Sequence, residues 1–219
     1  TRQLYIVGIG PGSLEHLTLR ATEVLKSVDC LAGYGLYLDL IEPLIAGKQT
    51  LRSGMMKEVE RVGAAIEAAM TGRSCALVSG GDPGIYAMAG LVYEMAREAA
   101  AGCTIEIIPG LAAINSCAAR LGAPLMHDFA AISLSDLLTP WDLIEKRLAA
   151  AAAADFVTAI YNPRSKRRTD QIVKARAIFL EHRAPSTPVG IVTAATRDNE
   201  RIVVTTLEKM LESEIGMQS

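Results

Sequence analysis

The sequence predicts an α/β fold made of two α/β domains, the first built on a mostly parallel sheet and the second on a mixed sheet. Three observations carry this. Short apolar runs of strand type alternate with segments whose apolar residues recur at helical spacing, the order of a βαβ series. Half of the 219 residues are hydrophobic, yet only three are Phe and one is Trp. The core must therefore be mostly Ala, Val, Ile and Leu, as in parallel sheets covered by helices. Finally, two of the strand-like runs stop at glycine-rich turns and lead straight into helix-like segments.

Taken in order, the first strand is Leu4 to Val7, followed by the turn GIGPG (Gly8 to Gly12) and a helix from about Thr18. A second strand is expected at Cys30 to Ala32. Val59, Val62, Ile66 and Ala69 then mark a helix. Ala76 to Val78 is the third strand; it stops at Ser79-Gly80-Gly81-Asp82-Pro83-Gly84, and a helix-like pattern begins at Ile85 and continues through Leu91, Val92, Met95 and Ala99. Thr104 to Ile108 closes the first domain, with the boundary near Pro109-Gly110, giving domains 1–110 and 111–219. In the second domain, strands are expected at Ala130 to Ser133, Phe156 to Tyr161, Val189 to Thr193 and Ile202 to Thr205. Its helices are expected at Ala113 to Leu121, Trp141 to Ala153, Lys166 to His182 and Leu207 to Ser213. The turn residues Arg197-Asp198-Asn199 pair the last two strands antiparallel.

The glycine turns are the most informative feature. Three glycines and a proline in five residues bring backbone N–H groups to the carboxyl end of a strand without side chains in the way. In open α/β sheets that edge is where ligands bind. The same turn also reads as a tight strand-to-helix connection with Asp82 near an N-cap. A dinucleotide fingerprint fits GIGPG badly: the third glycine position is Ser13, Pro11 removes an N–H, and Asp29 precedes the next apolar segment instead of following it. No Gly-Lys-Ser/Thr occurs, so a Walker loop is absent. The turns suit a ligand without phosphates.

The net charge of −2 argues against generic nucleic-acid binding. No apolar run approaches the roughly 18 residues that span a bilayer, and a strand and turn begin almost at once, where a signal peptide would lie. Cys30, Cys75, Cys103 and Cys117 show no C-x-x-C spacing and read as reduced core thiols of a cytoplasmic protein. His16, His127 and His182 form no metal-ligand pattern, so no protein-bound metal is expected.

GIGPG, SGGDPGIYAMA (Ser79 to Ala89) and IPGLAAINSCAARLGAPL (Ile108 to Leu125) follow one another as in the S-adenosylmethionine-dependent tetrapyrrole methylases, which the chain resembles over nearly its whole length. HDFAAISLSDLLTPW (His127 to Trp141) and AIYNPRSKRR (Ala159 to Arg168) narrow the resemblance to members of corrin (cobalamin) synthesis. The activity implied is methylation at C-17 of precorrin-3B, or of its cobalt form, with ring contraction. The alternatives are a sibling acting on another tetrapyrrole carbon and a non-catalytic nucleotide-binding module. The resemblance also implies a homodimer, a cofactor cleft between the two domains, and one further apolar strand after Glu214-Ile215-Gly216-Met217. The sequence runs from Thr1 to Ser219, so an open sheet edge is expected near its C-terminus.

Matched motif by motif, the resemblance places S-adenosylmethionine against Pro11, Gly80, Gly81, Asp82, Ile85, Ala112, Ala113, Tyr161, Asn162 and Gly190. For the two alanines, helix packing is an equal explanation. Methyl transfer from a sulfonium is an in-line displacement with an activated donor, so positioning and water exclusion matter more than catalytic side chains. A corrinoid precursor carries many carboxylates. Arg164, Lys166, Arg167 and Arg168 are therefore candidate substrate cations, placed at the start of a predicted helix where each opposes the macrodipole by roughly 0.3–1 kcal/mol; a solvated basic face is the other reading. Arg52, Lys57 and Arg120 are weaker candidates. Ring contraction also needs proton transfers, for which Tyr34, Tyr37, Asp39, Asp128, Ser133, Ser135 and Asp136 are the polar groups in otherwise apolar motifs. Asp39 and Ser135-Asp136 could instead cap helices.

Overall fold

The computed structural model describes residues 2–99 and 102–219, with side chains 98 and 99 left out. The chain divides into two compact units, Thr1–Ala113 and Ile114–Ser219. In the first, β1 (Gln3–Gly8) leads to α1 (Leu19–Ser27), β2 (Cys30–Tyr34), the short helices α2 (Gly35–Leu40) and α3 (Glu42–Ile45), and β3 (Gln49–Ser53). Then follow α4 (Glu58–Met70), β4 (Ser74–Ser79), α5 (Ala89–Ala99) and β5 (Thr104–Ile108). The five strands form one parallel sheet in the order β3-β2-β4-β1-β5.

Strand side chains alternate between the faces, and both faces are buried. Leu4, Ile6, Cys30, Ala32, Cys75 and Leu77 pack against Val62, Ala65 and Ile66 of α4 and Val92 and Ala96 of α5. Val7, Leu31, Ala76 and Val78 pack on the other face against Ala21, Val24 and Leu25 of α1, with Leu38 and Ile45. Near-continuous apolar strands are the consequence of this two-sided burial. Helix α1 starts where expected, because Thr18 caps it: its hydroxyl accepts a hydrogen bond from the Ala21 N–H at 3.1 Å.

The second unit takes up α6 (Ala113–Arg120) after its first residue, then β6 (Phe129–Ser133), α7 (Trp141–Ala153), β7 (Val157–Tyr161), α8 (Gln171–His182), β8 (Pro188–Thr193) and β9 (Arg201–Thr206). Its strands pair in both senses, β6 with β7 parallel and β8 with β9 antiparallel, as two two-stranded sheets. Ile132, Ile144, Leu148, Ile172, Ala175, Ile191 and Met210 make one core from α7, α8 and strands of both sheets.

Several expectations are corrected. β3 was missed, because QTLRS at the sheet edge is only half-buried and carries no apolar run. The helix expected over Leu207 to Ser213 is a single 3-10 turn at Met210–Glu212. Helix α5 starts at Ala89, not at Ile85: Tyr86 has φ 51°, a left-handed conformation that α-helix cannot run through. Val59 is exposed; the buried stripe of α4 is Arg61, Val62, Ala65, Ile66 and Ala69. Helix α8 starts at Gln171 instead of Lys166, so Arg164, Lys166, Arg167 and Arg168 precede the helix and do not oppose its dipole. The Ala99 side chain, expected on the apolar face of α5, lies outside the described residues.

Candidate functional site

The chain leaves β1 for α1 on one face of the sheet and leaves the neighbouring β4 for α5 on the other. Adjacent strands whose connections diverge in this way open a crevice at their carboxyl ends, the place where doubly wound sheets bind ligands. Both glycine turns sit there. They are joined to each other: the Gly10 N–H donates to the Gly81 carbonyl at 3.2 Å and the Gly81 N–H to the Gly10 carbonyl at 2.8 Å. The Ile9 N–H donates to the Ser79 carbonyl at 2.9 Å.

A third segment, Pro109-Gly110 after β5, wedges against these two. A Cβ on Gly110 would lie 2.2 Å from the Gly81 carbonyl oxygen and 2.8 Å from the Gly8 carbonyl carbon, and one on Gly8 would lie 2.7 Å from the Gly110 nitrogen. Asp82 fastens the assembly: its Oδ1 accepts from the Gly84 N–H at 2.8 Å and its Oδ2 from the Gly110 N–H at 3.1 Å. These glycines thus serve the approach of backbone to backbone, and the Gly10 and Gly81 N–H groups expected to face a ligand are spent on each other. Gly80 is likewise accounted for by protein, since its Cβ would lie 2.7 Å from Cζ of Tyr37.

The surface left around the turns is small and apolar. Pro11 and Ala112 are buried, Ala113 is exposed, and Ile85 and Tyr86 keep 39% and 51% of their surface open. A Cβ on Gly81, which has φ 62°, would stand 3.7 Å from the Ala113 nitrogen and 3.9 Å from the Ala112 Cα. An adenosyl group without phosphates suits small side chains and open apolar surface, so these residues fit the cofactor that the resemblance implies.

In the second unit, the segments following β6 and β7 meet at their carboxyl ends. The Asn162 side-chain amide donates to Ser133 Oγ at 2.9 Å, as does the Ser135 N–H at 3.2 Å. Asn162 itself holds φ 51°, the kind of strained backbone that clusters at ligand sites. The Tyr161 hydroxyl accepts from the Ile114 N–H at 2.9 Å at the start of α6. Arg168 donates to the Asn162 carbonyl at 3.0 Å and to Ser135 Oγ at 3.4 Å, so it braces this segment, whereas Arg164, Lys166 and Arg167 are exposed. Asp136 accepts from Gln171 at 2.8 Å. Gly190 is explained by packing, because its Cβ would strike Leu121 at 2.3 Å.

Not all candidates come together. Asp128 precedes β6 at its amino end, about 16 Å along the strand from Ser133, in a hollow of about 390 Å³ with His127 and Asp155. Tyr34 and Tyr37 pack edge to face with ring centroids 5.4 Å apart. Asp39 is ion-paired to Arg52 at 2.6 Å, Lys57 to Glu60 at 2.5 Å, and Arg120 to Glu200 at 2.8 Å. Burial pushes the Cys75 thiol well above its ordinary value, with Cys30 beside it adding to the effect, and raises Cys117 too; neither is poised as a nucleophile. The sequence reading missed Arg61, which is 95% buried at a sheet edge. Its signal was an arginine at i, i+4 and i+8 spacing with Ala65 and Ala69 on the apolar stripe of α4.

Among the described residues, no helix is long and apolar enough to cross a membrane, and no cluster of three His, Cys, Asp or Glu could hold a metal.

The chain is thus an α/β protein with glycine turns locked at a switch point and a serine-asparagine pair on a second sheet. The chain belongs to the tetrapyrrole (corrin/porphyrin) methylases, whose profile covers residues 3–211. It is 52% identical to the cobalt-factor III methyltransferase of Priestia megaterium over 98% of this chain, which is 41% of that protein. It is 45% identical to the probable cobalt-factor III C(17)-methyltransferase of Salmonella typhimurium, covering 99% of this chain and 90% of that one. The chain thus spans less than half of the first relative and most of the second. The crystal structure of the methyltransferase CobJ superposes with a TM-score of 0.93 at 36% identity, covering 99% of this chain and 91% of that chain.

Proposed function

We propose that the chain is an S-adenosylmethionine-dependent methyltransferase that methylates C-17 of a precorrin-3B-type substrate, with ring contraction, in cobalamin biosynthesis. The observation that carries this is the identity of 45–52%, over almost the whole chain, to proteins named for methylation of cobalt-factor III. Those names favour the cobalt-containing form of the substrate over the metal-free one.

The bound cofactor supplies a methyl group already activated on a sulfonium. The protein's part is then to bind, orient and exclude water. Ala112 and Ala113 leave room beside the Gly80 to Asp82 turn, and Ile85 and Tyr86 offer apolar cover. Asp82 acts by holding that turn to Gly110, not by meeting the ligand as a free carboxylate. In the second unit, Tyr161, Asn162 and Ser133 form a polar group held in fixed orientation by their own hydrogen bonds. As proton carriers for ring contraction, Tyr34, Tyr37 and Ser133 are better placed than Asp128, because each sits at the carboxyl end of its sheet. We further propose a cytoplasmic homodimer, which sedimentation at micromolar concentration tests: a stable monomer refutes it.

The test of function is incubation with methyl-labelled S-adenosylmethionine and either cobalt-factor III or precorrin-3B, followed by mass spectrometry and NMR of the product. Label on C-17 of the cobalt form is expected. Label on another carbon points to a sibling activity. No transfer, together with preference for nucleotides over S-adenosylhomocysteine in calorimetry, refutes the enzyme reading.

A further inference from the structure

Arg61 lies on the buried stripe of α4 with 5% of its surface exposed. Its guanidinium is held by neutral groups alone: Nε donates to Ser53 Oγ at 2.7 Å, Nη2 to the Gly54 carbonyl at 2.8 Å, and Nη1 to the Met88 sulfur at 3.3 Å. Among the described residues, no carboxylate forms an ion pair with it; neighbouring Glu60 is engaged by Lys57. An arginine has five N–H donors and stays charged. Three are used here, one of them on a weak sulfur acceptor, which leaves one N–H on each terminal nitrogen. A buried charge without a counter-charge is costly to a fold, and an apolar side chain would fill the same stripe at lower cost.

Arg61 borders an open cleft of about 420 Å³, which is also lined by Thr50, Leu51, Arg52, Ser53, Glu60 and Ala64. The cleft therefore presents a second cation, Arg52, which is paired with Asp39, a hydroxyl, and the Glu60 carboxylate, which is paired with Lys57. It lies between α4 and the edge strand β3, whose carboxyl end, Ser53-Gly54, is on the same sheet edge as the glycine turns. Only β2 separates β3 from β4, so the two ends are about two strand spacings, or 10 Å, apart. A chain of contacts joins them: Tyr37 covers Gly80, Tyr34 meets Tyr37 edge to face, and the Arg61 guanidinium lies 5.9 Å from the Tyr34 ring centroid.

We infer that Arg61 is a recognition residue for a peripheral carboxylate of the tetrapyrrole, which binds in the cleft between β3 and α4 while the macrocycle extends along the sheet edge toward the Gly80 turn. One N–H remains on each terminal nitrogen, and a carboxylate has two oxygens to accept them. The ion-pair partner that Arg61 lacks, since Glu60 is held by Lys57, is then supplied by the ligand. This inference rests on the tetrapyrrole reading given above.

Two variants test it, with uroporphyrin III as the polycarboxylate probe. Binding is followed by absorbance, thermal stability by calorimetry, and cofactor-site integrity by titration with S-adenosylhomocysteine. Arg61→Met keeps the length of the side chain and removes the charge. Ala64→Asp places a carboxylate on the cleft wall, where it occupies Arg61 in the ligand's stead. Both should weaken porphyrin binding about tenfold or more, the loss of one charged hydrogen-bonded pair. S-adenosylhomocysteine affinity should stay within twofold, and melting should be no lower than in the parent. If either variant folds and binds porphyrin as the parent does, the inference is overturned. If Arg61→Met is destabilised, Ala64→Asp decides alone, because it retains the arginine and its three hydrogen bonds. A parent chain that binds S-adenosylhomocysteine but not porphyrin would instead count against the tetrapyrrole reading itself.

Discussion

Replacing Gly110 with alanine tests the construction of the site at its tightest point. The added methyl would sit 2.2 Å from the Gly81 carbonyl oxygen, 2.8 Å from the Gly8 carbonyl carbon and 2.9 Å from the Gly8 Cα. All three are backbone atoms of other strand ends, so no side chain can swing aside. Relief requires the Pro109-Gly110 segment to withdraw, which stretches the 3.1 Å bond from its N–H to Asp82. Overpacking of this kind costs about 3 kcal/mol, and the smaller entropy of the unfolded alanine chain returns about 0.7 kcal/mol. A net loss of about 2 kcal/mol in a chain of 219 residues lowers the melting temperature by roughly 4–8 °C. Calorimetric melting of Gly110→Ala checks this against Gly90→Ala, which sits in helix α5 with nothing within 4 Å of the new methyl and should gain up to about 1 kcal/mol. S-adenosylhomocysteine affinity should also fall in Gly110→Ala, because the Gly81 turn is displaced. A Gly110→Ala protein that melts within a degree of the parent would show that the three turns do not close on one another.

Three further outcomes follow from the same geometry. Asp82→Asn keeps one acceptor oxygen and loses the other, so one of the bonds to Gly84 or Gly110 is broken; denaturant unfolding should show a loss of about 1.5–3 kcal/mol. The Thr196 N–H at 2.5 Å and Arg120 at 2.8 Å hold the Glu200 carboxyl below its ordinary 4.5. A depressed folded-state value means stability that is present above the unfolded value and lost as pH falls through the folded one. Melting curves between pH 6 and pH 3 should thus fall less steeply for Glu200→Gln than for the parent, and parallel curves would refute the assignment. Arg168→Gln gives up the bonds to Asn162 and Ser135 and should lower stability by about 1 kcal/mol; a gain would revive the helix-dipole account of the basic segment.

How much of this was legible in the sequence depended on whether a residue's role is local. The strands β1, β2 and β4 announced themselves because both of their faces are covered, which forces continuous apolar runs; β5, at an edge and only partly buried, was marked by its three isoleucines. β3 lies at the edge with its side chains half-buried, and nothing in QTLRS sets it apart from a loop. Thr18 marked the start of α1 by a capping bond that spans three residues. The start of α5 was misplaced because Tyr86 leaves the helical region of backbone space, and no local pattern at Ile85 to Met88 signals this.

The glycine turns show the deeper limit. The sequence correctly marks positions where a side chain is not tolerated, but it cannot say what excludes it. At Gly8 and Gly110 the excluding atoms belong to turns about thirty to one hundred residues away along the chain; at Gly80 they are the ring of Tyr37, and at Gly190 the side chain of Leu121. The same ambiguity runs through the charges. Four cations in five residues drew the sequence reading to Arg164 to Arg168, where one proves to brace a loop and three are solvated. Arg61 stood unnoticed between Glu60 and Val62, because a single arginine on an apolar stripe becomes informative only once its partners are known to be neutral. Spacing in the sequence reveals where burial will occur. Whether a buried polar group is satisfied by the protein or left for a ligand is decided by residues that the fold brings from elsewhere, and that is the question on which the site turns.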